Sequence, residues 1–336
     1  MSNADFSTSP TAAFGSDAPA EPRHCAPSPT LSRRDLIVRW AAATCVAPAS
    51  WLLGGCAGTA ANPTAAAGTA GADAGAGWLT GGTARIGAGV RASNPFLGAA
   101  ASTCRLTCEA TIGPCHTLSP ERRDISDGWD GLPMHMQLRI VDVQCRPVEN
   151  AIVEVWHTNH TGGYSGRIAP MCNNDKADVE RQFFRGWQRT DANGIARFDS
   201  CYPGWYGGHA NHVHLRVMKG DYDPRDSATA WVTTQLLFSD ELNAEIFGSA
   251  ALYKKKGLPD TTLATDGVMG QEPDKSPYLF DVQKVDGVML ASRTLAIHTD
   301  LSEVVCTARG ARPPGGPGRR RGPGSPPGVT GPAPRT

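Results

Sequence analysis

His212 and His214 flank a single residue in the run His212-Val213-His214-Leu215-Arg216-Val217. The run alternates with period two, as a β-strand does. Successive strand side chains point to opposite faces, so the two imidazoles share one face. That is a common way to present two nitrogens to one metal ion. Two surface histidines on a strand face would show the same spacing, so the pair alone leaves both readings open. Immediately upstream, Pro203-Gly204-Trp205-Tyr206-Gly207-Gly208-His209 is a tight loop that leads into the strand and carries Tyr206. Further upstream, Glu154-Val155-Trp156-His157-Thr158-Asn159 ends a strand, and Gly162-Gly163-Tyr164-Ser165 presents a second tyrosine. Either tyrosine taken alone reads as a packing or hydrogen-bonding residue.

The elements that must position these residues are short strands. Residues 136–143, 151–156, 195–198, 212–217 and 231–238 are β-branched or alternating runs bounded by turn signals such as Asp191-Ala192-Asn193-Gly194. Helical periodicity is scarce outside residues 240–256. The expectation is an all-β fold: an antiparallel β-sandwich with long loops and a short helix.

Four segments occur together in one order: Val155-Trp156 with Gly163-Tyr164-Ser165, Thr190-Asp191 with Gly194, Pro203-Gly204-Trp205-Tyr206, and His212-Val213-His214. In this the chain resembles the intradiol ring-cleavage dioxygenases, the family of protocatechuate and catechol dioxygenases. The resemblance covers residues 105–300, includes Thr233-Thr234-Gln235-Leu236, and is to the shorter, protocatechuate-type core. Residues 57–95 are too Gly-rich for a helical dimerisation region of the catechol 1,2-dioxygenase kind.

The resemblance implies a metal centre. Tyr164 would be the equatorial tyrosinate ligand, Tyr206 the axial tyrosinate that leaves on substrate binding, and His212 and His214 the neutral imidazoles. Two anionic oxygens and two nitrogens suit Fe(3+). A phenolate needs the metal's charge, because a free tyrosine has a pKa near ~10. The implied partners are a small aromatic diol and O2, and displaced Tyr206 acts as a base. The ring would break between its two hydroxylated carbons, giving a muconate-type diacid.

The match departs from the family at two places. An arginine usually stands three residues before the first ligand histidine, where it stabilises negative charge on the ring. Here that residue is His209, and an imidazole with a pKa of about 6.5 is mostly neutral at pH 7. Arg167 and Arg185 are the nearby cations that could compensate. In Gly113-Pro114-Cys115-His116, Cys115 stands where relatives carry pocket aromatics, which implies a different pocket wall or a disulfide. Gln235 would orient the ring or oxygen, or else satisfy strand backbone. Trp156 and Trp205 read as packing residues. His157 and His160 lie near Tyr164 but do not fit the family pattern. Two other readings stay open: a catalytically degenerate, metal-binding surface protein of the same family, favoured by His209, and a copper or zinc hydrolase, disfavoured by the tyrosine pair.

The 336 residues carry no net charge, which argues against nucleic acid as a partner. The ten cysteines suit an oxidising compartment. Of the seven beyond residue 100 at least one must stay unpaired within the chain, and neither the pairing nor the oligomeric state is specified. Residues 1–56 read as a Tat-type export signal: Arg33-Arg34 precedes an apolar run, shorter than the ~20 residues of a membrane span, that closes on Leu53-Gly54-Gly55-Cys56. That closing segment resembles a lipobox, implying a lipid anchor at Cys56 and a periplasmic or cell-envelope address. Residues 57–99 read as an Ala/Gly-rich linker, 100–308 as the sandwich domain, and 309–336 as a disordered Gly/Pro/Arg-rich tail.

Overall fold

The computed structural model describes residues 77–97, 104–166, 172–173, 175–225 and 229–311. Their strands are Pro133–Asp142 (β1), Ile152–Trp156 (β2), Arg185–Arg189 (β3), Ile195–Cys201 (β4), His212–Met218 (β5), Ala230–Leu237 (β6), Asp281–Val285 (β7) and Val288–Ile297 (β8). The helices are Ala88–Ala92 (α1), Lys176–Val179 (α2), Asp240–Ser249 (α3) and Ala251–Lys254 (α4). The strands form two sheets, ordered β4-β1-β8-β7 and β3-β2-β5-β6. Met134, Met136, Leu138 and Ile140 of the first sheet meet Val153, Val155, Val213, Leu215 and Val217 of the second in one core. The β-sandwich is therefore the fold. Its ladders are antiparallel except that β1 and β8 run parallel.

Alternation explains how the second sheet carries polar chemistry. In β5 the odd positions Val213, Leu215 and Val217 enter the core, so His212, His214 and Arg216 face away from it. Trp156 pairs with His214, and His214 with Gln235, so three side chains stand abreast on that outer face. Loops cover the face, and all three residues are buried.

The helix expected over 240–256 starts where Ser239 caps it, its hydroxyl accepting from the Leu242 N–H. It breaks at Ala250, which takes an extended conformation, and resumes as α4.

The linker reading of 57–99 does not hold for residues 77–97. Ile86 and Val90 are buried against Val288, and the Leu79 N–H donates to the Gly287 carbonyl. Gln137 Nε2 donates to the Ser93 carbonyl at 2.7 Å. Arg91 Nε meets Asp199 Oδ2 at 2.8 Å, and Asp199 Oδ1 meets the fully buried His135 Nδ1 at 2.7 Å. The outer face of β1 carries polar residues that need partners, and this strap supplies them despite its low apolar content. The export segment, the lipobox and residues 312–336 of the tail lie outside the described residues. No described helix is long and apolar enough to cross a membrane.

Among the described residues three disulfides join Cys104 to Cys145, Cys108 to Cys306 and Cys115 to Cys172, and Cys201 is free and buried. Each has one partner in the stretch 104–115, which leads to Gly113-Pro114-Cys115.

Candidate metal centre

Four side-chain donors meet beside β5. Tyr164 rises from the loop after β2, Tyr206 from the loop after β4, and the histidines from β5 itself. The Tyr164 hydroxyl donates to the Tyr206 hydroxyl at 3.4 Å. The Tyr206 oxygen lies 3.2 Å from His212 Nε2, which lies 3.1 Å from His214 Nε2. No described group of three or more His, Cys, Asp or Glu side chains is arranged to hold a metal. The donor set here is half tyrosine.

The donor chemistry fits a hard trivalent cation. His212 Nδ1–H donates to the Ala210 carbonyl at 2.6 Å, so its Nε2 lone pair points into the site. Burial pushes the His212 imidazolium pKa down to about 4 and lowers that of His214 well below its ordinary value. Both rings are neutral at pH 7. Burial also raises the Tyr206 pKa to about 12 and raises Tyr164 well above its ordinary value. Without a cation the phenols hold their protons; a metal would be needed to draw them off. His214 Nδ1 has no hydrogen-bond partner among the described residues, so packing rather than a bond orients that ring. Gly113, at φ +73°, lies so close that a Cβ there would meet His214 Cε1 at 3.2 Å.

A cavity of about 90 Å³ opens on the cluster, lined by Thr111, Gly113, Cys115, Tyr206, His209, Gln235 and other residues. That is small beside the ~300–1,000 Å³ of drug-sized pockets. Gln235 is fully buried, and neither polar atom of its amide has a hydrogen-bond partner among the described residues. His209 is one-third exposed, with Nδ1 3.7 Å from the buried Asp266 carboxylate. Asp266 has its pKa pulled down to about 2; burial opposes the shift, but His209 and the N–H groups of Met269, Ala210 and Val268 outweigh it.

The structure thus brings Tyr164, Tyr206, His209, His212, His214 and Gln235 to one place. Cys115 both lines the cavity and forms a disulfide. His157 is turned away, bonded to the Thr158 carbonyl and Ser200 Oγ, and His160 packs on Trp129. Arg185 donates to the Ser165 and Cys115 carbonyls, and Arg167 lies outside the described residues. Asp266 is a site residue that the sequence does not mark, and Cys172 is one of the seven cysteines whose pairing the sequence leaves open. Asp266 lies in a stretch without periodicity, and nothing local assigned Cys172 its partner.

Residues 116–245 match the family model Dioxygenase_C, described as dioxygenase. A protocatechuate 3,4-dioxygenase beta chain from Burkholderia cepacia is 35% identical over 92 residues, 25% of this chain and 37% of that protein. Catechol 1,2-dioxygenase 2 from Acinetobacter lwoffii is 36% identical over 85 residues, 24% of this chain and 27% of the relative. The matches therefore span 37% or less of these curated relatives. Among solved structures, an intradiol ring-cleavage dioxygenase from Tetranychus urticae superposes with a TM-score of 0.50 at 24% identity, over 58% of this chain and 95% of that one. This last likeness shows the fold.

Proposed function

We propose that the chain is a non-haem Fe(3+) dioxygenase that cleaves a catechol-type ring between its two hydroxylated carbons with O2, giving a muconate-type diacid. The sequence matches support the intradiol ring-cleavage dioxygenase family. The observation that carries the reading is the convergence of Tyr164, Tyr206, His212 and His214 within a chain of 3.1–3.4 Å contacts beside a small cavity.

Ferric iron held by Tyr164, Tyr206, His212 and His214 would supply the Lewis acidity that activates a diol ring towards dioxygen. The chain's own residues do the rest. Tyr164, 2% exposed and enclosed by packing, is the tyrosine that stays. Tyr206 is half-buried, borders the cavity, and is the one that gives way. Its high pKa makes its oxygen a base able to take a proton from a substrate hydroxyl. Gln235 offers a donor and an acceptor to a bound ring or to oxygen.

The test is to load the purified protein with iron and record its colour. Ferric tyrosinate proteins are red-brown, and a colourless product would sink the reading. Oxygen uptake with catechol and hydroxyquinol then tests the reaction. A coloured protein that consumes no oxygen would favour the second reading, a metal-binding but inactive surface protein, for which His209 in place of arginine is the supporting residue. We propose in addition that the chain is exported by the Tat route to the periplasm or cell envelope, anchored by lipid at Cys56. The three disulfides support an oxidising destination.

A further inference from the structure

Tyr164 is held by a covalent brace as well as by packing. Its N–H donates to the Cys172 carbonyl at 3.2 Å, and its own carbonyl accepts from Asn173 Nδ2 at 2.9 Å. Asn173 Nδ2 also donates to Asp178 Oδ2 in α2 at 2.8 Å. Cys172 in turn is bonded to Cys115, a wall residue of the cavity. Arg185 adds a second tie, donating to the Ser165 carbonyl at 2.5 Å, to Ser165 Oγ at 3.1 Å and to the Cys115 carbonyl at 3.4 Å. Cys115, Cys172 and Tyr164 pack in one small apolar cluster with Trp156.

The tyrosine loop and the Gly113-Pro114-Cys115 wall are therefore one mechanical body. That matters because Gly113 also abuts His214, so the same body touches two of the four donors. We propose that the Cys115–Cys172 bridge is a positioning element of the metal centre, fixing the Tyr164 oxygen relative to His214 and the cavity wall. This rests on reading the four donors as a metal site. The Cys108–Cys306 bridge, which does not line the cavity, is the natural control.

The experiment compares the full-length protein with its C115A/C172A, C108A/C306A and N173A variants. Two readouts are used: hydrogen exchange at the Tyr164 amide in metal-free protein, and the ferric-tyrosinate absorption and iron affinity after loading. Removal of the Cys115–Cys172 bridge should speed exchange at Tyr164, shift the absorption band and weaken iron binding by about tenfold. The control pair should lower the melting temperature without moving the band. N173A, with the bridge intact, should move band and exchange in the same direction by less. Unchanged exchange and absorption in C115A/C172A, or equal changes in the control, would overturn the proposal. Should C115A/C172A not fold, N173A decides, and an unmoved band and exchange rate count against the brace. If wild-type protein binds no iron, the metal reading fails, and exchange at Tyr164 alone decides whether the brace exists.

Discussion

The indole of Trp156 lies flat against the imidazole of His214, with centroids 5.0 Å apart and planes 4° from parallel. Since His214 Nδ1 has no bonding partner, this stack and the close approach of Gly113 orient the ring. Trp156 also meets His116 in an edge contact, with ring centroids 4.6 Å apart. His116 Nε2 lies 3.1 Å from the buried Glu154 carboxylate, which accepts 2.7 Å hydrogen bonds from Ser119 and Tyr222. A run of contacts thus leads from a hidden carboxylate to the His214 ring.

The two tyrosines should separate on mutation. Tyr164→Phe should bleach or strongly shift the colour of iron-loaded protein, because it removes the ligand that stays. Tyr206→Phe should keep a tyrosinate band but lose turnover by at least ~100-fold, the scale of general base catalysis. Visible spectra and oxygen-electrode rates check both. An unchanged spectrum in Tyr164→Phe would mean the wrong tyrosine was assigned.

His209→Arg should raise kcat/KM on simple catechols by about tenfold, or about 1.4 kcal/mol of barrier. Asp266, 3.7 Å from the present imidazole, would pair with the guanidinium and help hold it at the cavity edge. A flat response in oxygen-uptake assays removes the missing cation as a limit on rate.

Gln235→Leu tests whether a buried amide is kept for function. Its two unpaired polar atoms are a stability liability of ~1–3 kcal/mol, so the leucine variant should melt no lower than wild type. Its kcat/KM should nevertheless fall. Calorimetry on metal-free protein paired with steady-state kinetics gives the contrast, and full activity would reassign Gln235 to structure.

Gly113→Ala places a methyl 3.2 Å from His214 Cε1 at a positive φ. We expect roughly 1–2 kcal/mol of destabilisation from the backbone alone. Iron affinity should drop as well, because His214 has Trp156 behind it and little room to yield. Urea unfolding and iron titration report the two effects separately.

Acid should weaken the metal-free fold well above the ordinary carboxylate range. Burial pushes His157 down to about 4, against 6.5 for an exposed imidazole. Between those values the unfolded chain takes up a proton that the folded chain refuses, so stability falls as pH drops from 6.5 towards 4. The full effect is roughly 3 kcal/mol, at ~1.4 kcal/mol per pKa unit. His212 acts in the same direction. Unfolding curves for wild type and His157→Gln should converge as the pH is lowered through this window, and parallel curves would count against the assignment.

What could be read in the sequence had a local signature. Period-two runs gave away β1, β2, β4, β5 and β6, and the H-x-H spacing put both imidazoles on one face. Strand β3, Arg185-Gly186-Trp187-Gln188-Arg189, hid behind its charges and glycine, and β7 is mostly exposed. Strand β8 lies between β1 and β7 and is buried along most of its length, so it lacks a polar face to mark it. The pairing of Cys115 with Cys172 and the approach of Asp266 to His209 depend on loop paths, which no pattern along the chain encodes.

The strap of residues 78–97 bears on where this protein can be cut. A composition-based boundary near residue 100 would strip Ile86 and Val90 from Val288 and take Arg91 away from Asp199. It would also take the Ser93 carbonyl from the Gln137 amide on the back of β1. A shortened chain for crystallisation or spectroscopy should therefore begin ahead of Trp78, even though its first twenty residues look dispensable on paper.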